Sequence, residues 1–123
     1  MNYPESELHK AVAKYLSLVL CKGTWWTSIA HGETADFKRG ARMKARGAKA
    51  GVPDILIVDN GSCFWIELKA AGGTISSKQA QCHAELLTAG ARVAICRSVD
   101  GVADILALWG IRTRDASVRK AAA

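Results

Sequence analysis

The chain has 123 residues, half of them apolar, with 17 Lys+Arg against 11 Asp+Glu and a formal net charge of +6. That length suits one domain, which buries roughly two-thirds of its unfolded surface and so needs neither a disulfide nor a structural metal. A charged fraction of 23% with two prolines argues against disorder, no apolar run approaches the ~18 residues of a membrane span, and the basic balance suits a polyanion partner.

Residues 4–20 predict an amphipathic helix, with Leu8, Val12, Tyr15, Leu16 and Val19 on one stripe. At about 100° per residue, Glu5 lies about 40° from the centre of that stripe, whereas Glu7 faces water beside Lys10 and Lys14. These charges also exclude a secretory signal in the first twenty residues, so the protein is expected to be cytoplasmic. Gly23 ends the helix, and Thr24 to Ala30 reads as a strand. From His31 to Ala50 the apolar pattern disappears, which predicts a long loop. Lys38, Arg39, Arg42, Lys44, Arg46 and Lys49 crowd it, six cations within twelve residues, suited either to water or to phosphates.

Val52 to Asp59 is an apolar strand opened by Pro53, and Ser62 to Lys69 is its return. Asn60-Gly61 between them specifies a type I′ hairpin turn. Ser76 opens a helix that Gly90 closes, Ala91 to Arg97 is a further strand, and Ser98 to Trp109 a last helix. The domain is expected to span 1–110, with 111–123 a basic, flexible tail. Cys21, Cys63, Cys82 and Cys96 stand apart, without metal-ligand spacing, and are expected to be reduced buried thiols.

The hairpin carries the chemistry. In its register Asp54 falls opposite Glu67, with Cβ atoms ~4.5–5.5 Å apart, and Lys69 projects from the same face. Ile55, Ile57, Phe64 and Ile66 occupy the other face, while Leu56, Val58, Cys63 and Trp65 lie beside the acids. Two apolar faces call for helices on both sides. Opposed carboxylates on a buried sheet repel and lose hydration, so one binds a proton unless a divalent cation takes its place. Glu5, on the core side of its helix, is either a further member of that site or an acid favoured by the helix dipole. Gln79 closes a Ser76-x-x-Gln79 capping box, and its helix N-terminus could also reach a metal site or phosphate.

The string Gly51-Val52-Pro53-Asp54, then Glu67-Leu68-Lys69, then Gln79, behind Glu5 and the lead-in Arg46-Gly47-Ala48-Lys49-Ala50-Gly51, resembles the PD-(D/E)XK nuclease superfamily. More closely it is similar to the VRR-NUC (virus-type replication-repair nuclease) family in its small standalone form, over about residues 4–100. Where relatives often carry glutamine after the first helix acid, this chain has His9.

The resemblance implies a restriction-endonuclease-like α/β core: helix, three-stranded antiparallel meander, helix and further strand, with helices on both faces of a mixed sheet. It implies a Mg²⁺- or Mn²⁺-dependent DNA endonuclease similar to Holliday-junction resolvases. Such an enzyme acts as a homodimer on branched DNA, with no membrane and no nucleotide cofactor, in a phage, prophage or bacterial setting. Asp54, Glu67 and the backbone carbonyl of Leu68 would bind metal, Glu5 would complete or support the site, Lys69 would position the attacking water, and Gln79 would assist at its edge. The basic 38–49 segment would hold the duplex backbone. A non-cleaving DNA-binding module and a flap- or end-processing exonuclease are the competing readings.

Overall fold

The computed structural model describes residues 3–29 and 37–114. Their elements run α1 (Tyr3–Val19), β1 (Trp25–Ser28), α2 (Phe37–Ala45), β2 (Ile55–Asp59), β3 (Ser62–Leu68), α3 (Ser77–Thr88), β4 (Arg92–Cys96) and α4 (Val99–Leu108). The four strands form one mixed sheet in the order β1-β2-β3-β4, with β1 to β3 an antiparallel meander and β4 parallel to β3. No helix among the described residues is long and apolar enough to cross a membrane.

The meander turns where the sequence predicts. Asn60 and Gly61 have φ of 50° and 80°, the paired positive values of a type I′ turn. Asp59 therefore pairs with Ser62, and the ladder runs to Ile55 opposite Ile66. β2 begins three residues later than the predicted strand. Asp54 stands just outside the ladder, its N–H donating to the Ile66 carbonyl at 3.1 Å and its carbonyl accepting from Ile29 at 2.8 Å.

One face of the sheet carries Ile55, Ile57, Phe64, Ile66, Leu68 and Cys96, which pack with Val12, Tyr15, Leu16 and Val19 of α1 and Val102 and Leu106 of α4. The predicted α1 stripe is thus the stripe that is buried, and burying such side chains stabilises by roughly 1.5–3 kcal/mol each. α3 lies on the opposite face, above the Glu67 end of β3. Beyond its reach that face is only half covered, with Trp25 57% and Ile95 43% exposed.

Two segments differ from expectation. The predicted basic loop contains α2, because Arg, Met, Lys and Ala are good helix formers and need no buried face to adopt the conformation. Its described side chains are exposed, so no apolar period announces it. Gly47 (φ 94°) closes it, with Ala48 N–H donating to the Met43 carbonyl and Gly47 N–H to that of Lys44, both at 3.0 Å. Residues 111–114, placed in the expected tail, are held against the domain. Ile111 is buried in the core, Thr113 bridges to Leu20, and Arg114 N–H donates to the Val19 carbonyl at 2.8 Å. Positions 115–123, the rest of that tail, lie outside the described residues, as do Ala30 at the end of the predicted strand and the side chains of Lys38 and Arg39. The four cysteines are free, but only Cys82 and Cys96 are buried; Cys63 is exposed.

Candidate active site

Glu67 points from β3 to the α3 side of the sheet and is only 2% exposed. Asp54, 6% exposed, meets it from the start of β2, and the two carboxyl groups share a hydrogen bond. Asp54 is held by a second contact, accepting the Leu68 N–H on Oδ2 at 2.7 Å. Burial, then the Asp54 hydrogen bond and its charge, push Glu67 up to about 8, with Glu5 adding to the rise and Lys69 pulling against it. The pair thus favours holding a proton between the two carboxyls, the response expected when they are forced together out of water.

Both oxygens of Glu67 have partners on α3. Gln79 donates from Nε2 to Oε2 at 3.4 Å, and His83 Nε2 is hydrogen-bonded to Oε1 at 3.0 Å. Gln79 closes the capping box and also touches Glu67. Its backbone N–H donates to Ser76 Oγ at 3.1 Å, its Oε1 accepts the Ser76 N–H at 2.8 Å, and its amide nitrogen remains for Glu67. His83 escapes sequence reading, although its spacing of four from Gln79 puts it on the same side of a helix. Burial first, then the Lys69 charge, lowers its pKa, which favours the neutral ring and a hydrogen bond to Glu67.

Lys69 follows β3 directly, its N–H donating to the Cys96 carbonyl at 3.1 Å, and its charge reaches both Glu67 and His83. Glu5 comes near enough for its charge to raise Glu67. It is half-buried in the first turn of α1, and a Cβ placed on Gly73 would lie 3.5 Å from its Oε1. Among the described residues no three His, Cys, Asp or Glu side chains converge to hold a metal by themselves. The loop between Glu5 and the pair is fixed by Arg97, whose Nη1 donates to the Ala70 and Gly73 carbonyls at 3.0 and 2.7 Å, a clamp no sequence pattern indicates.

Gly51 joins the basic segment to α3. It has φ 79°, and a Cβ there would come within 2.3 Å of the Lys78 carbonyl oxygen. Neither the conformation nor the space admits a side chain. We expect Gly51→Ala to cost at least ~2 kcal/mol in a urea titration. Gly47→Ala, with φ 94° but nothing within 4 Å of the added carbon, should cost only about 1 kcal/mol. Equal losses would show that the close approach to α3 carries no energy.

A carboxyl pair and a lysine, gathered where two central strands of a helix-flanked mixed sheet end, define a restriction-endonuclease-like α/β protein. The VRR-NUC domain model matches residues 8–100, more than half of the sequence. Among solved structures, one described as a VRR_NUC domain protein is similar at TM-score 0.66 and 18% identity, covering 89% of each chain. Another, described as a VRR_NUC domain, is similar at TM-score 0.57 and 19% identity, covering 87% of this chain and 97% of its own. No curated protein matches. The chain belongs to the VRR-NUC family, and its domain is of the nuclease type.

Proposed function

We propose that this protein is a divalent-metal-dependent, structure-specific endodeoxyribonuclease that hydrolyses DNA phosphodiester bonds, acting on branched DNA as a homodimer. The observation that carries the reading is the buried Asp54–Glu67 carboxyl pair with the Lys69 charge in range. The donor set fits Mg²⁺ or Mn²⁺. Two hard carboxylates are paired closely enough to share a proton, and Mg²⁺ in particular is held by one or two carboxylates, the remaining positions going to waters and substrate phosphates. Asp54, Glu67 and the Leu68 carbonyl would hold the ion, with Glu5 at the rim. When bound, the cation supplies Lewis acidity, making water a stronger nucleophile and offsetting charge on the phosphate.

The protein's own groups do the rest. Gln79 and His83 hold the Glu67 carboxyl in one orientation, and the Leu68 N–H does the same for Asp54. Lys69 contributes a fixed positive charge where phosphoryl oxygens gain negative charge and where the attacking water must be oriented. Lys38, Arg39, Arg42, Lys44, Arg46 and Lys49 hold the duplex backbone without reading its sequence. Homodimerisation and branched-DNA preference are carried over from the family resemblance.

A panel of four-way junctions, flaps, nicked and linear duplexes, incubated with Mg²⁺, Mn²⁺ or chelator, tests this. Internal cuts in branched DNA that vanish with chelator are expected, together with a dimer in sedimentation. Release of nucleotides from labelled ends alone would make it an exonuclease. Tight binding with no cleavage under any divalent ion would make it a binding module.

A further inference from the structure

Beside the acid pair lies a cleft of about 420 Å³ between the segment that follows α2 and the outer side of α3. Its walls carry Lys44, Lys49, Lys78, Gln81, Cys82 and Glu85. The turn at Gly47 brings Lys44, before it, and Lys49, after it, to the same opening, and the Gly51 contact with Lys78 fixes the two walls against each other. Among the described lining residues three are lysines and one, Glu85, carries a carboxylate. Burial, then the Glu85 charge, raises the Cys82 pKa while Lys49 pulls the other way, so the thiol adds no negative charge and the Lys49 charge reaches it.

Lys78 and Cys82 each precede by one residue the pair that touches Glu67, namely Gln79 and His83. With 3.6 residues per turn, the cleft and the carboxyl pair lie on neighbouring sides of the same two turns of α3. That offset places the lysines to one side of the pair rather than over it. It suits a phosphate further along a strand, where successive nucleotides advance ~3.4 Å along the duplex axis. Among the described residues no aromatic ring lines the cleft, and its described walls offer charge rather than a surface for a base to stack on.

We propose that this cleft binds a DNA backbone phosphate away from the scissile bond, with Lys44, Lys49 and Lys78 as its contacts. The proposal rests on the nuclease reading, and adds to it Lys78 on α3 and a defined place for a second phosphate. It makes substrate binding sensitive to salt and indifferent to sequence.

The test is fluorescence anisotropy of a labelled duplex across a KCl series, with Ca²⁺ as the divalent ion so that binding is read apart from cutting. The Lys49→Ala/Lys78→Ala double variant should bind about tenfold more weakly, and the slope of log K against log salt should flatten by ~0.9 for each lysine that no longer neutralises a phosphate. Glu85→Gln should bind more tightly. Lys22→Ala/Arg112→Ala removes two charges from a second cleft at the hairpin end of the sheet and should leave the slope unchanged. Equal flattening in both double variants, or none in the first, overturns the proposal while leaving the nuclease reading intact. No binding by the wild-type protein overturns both.

Discussion

Asp54→Asn is expected to abolish metal-dependent cleavage, lowering the rate at least ~10³-fold, with the fold intact. The loss follows from charge. Asp54 is one of two carboxyls available to a divalent ion, and an ion that stabilises the transition state by several kcal/mol accounts for such a factor at about 1.4 kcal/mol per tenfold. The fold survives because an asparagine oxygen can still accept the Leu68 N–H that Asp54 Oδ2 accepts at 2.7 Å. DNA affinity, measured without turnover, should hold or rise, since a negative charge has left the site. Full activity in this variant would remove the carboxyl pair from the mechanism.

The alanine variant separates the two duties of the same residue. Asp54→Ala loses the charge and also orphans the buried Leu68 N–H, which costs ~1–3 kcal/mol of stability. Asp54→Asn and Asp54→Ala should therefore be equally inactive and unequally stable in a denaturant titration.

The hairpin explains how much of this site the sequence exposes. Asn60-Gly61 admits essentially one turn, that turn sets the register from Asp59–Ser62 to Ile55–Ile66, and Asp54, one residue past the end of that ladder, still reaches Glu67 with its side chain. The period of two along β3 then puts Lys69 on the Glu67 side. Ser76 and Gln79 announce the start of α3 in the same local way. What stays hidden depends on how distant segments meet. Nothing near Glu67 in sequence tells that β4 pairs alongside it in parallel, so that Arg97 reaches the 70–73 loop. His83 acquires meaning only once α3 is laid over the sheet. Gly51 looks like any loop glycine until the backbone of Lys78 is found against it. α2 is hidden for a different reason: pattern reading detects a buried face, and the described side chains of this helix are exposed.

Glu67→Gln should be inactive yet more stable than wild type in metal-free buffer at pH 8 and above. Glu67 is raised from 4.5 to about 8 in the folded protein, mainly by burial and then by Asp54. Between those values the native state holds a proton that the unfolded chain has released, so raising the pH favours unfolding. The stability linked to this group is fully present below about pH 4.5, declines as pH rises, and is gone above about 8. Glutamine keeps the shape, can still meet His83 and Gln79, and never ionises. The variant's advantage should thus be small near pH 5 and grow to several kcal/mol by pH 8, on the order of 1.4 kcal/mol for each unit crossed. Thermal melts of both proteins from pH 5 to 9 measure it. Mn²⁺ should reverse the ranking at pH 8, because an ion that binds only the folded, deprotonated pair stabilises wild type by mass action and finds one carboxylate too few in the variant. A wild-type melting curve parallel to that of Glu67→Gln across the whole range, indifferent to Mn²⁺, would mean that Asp54 and Glu67 are not held together out of water.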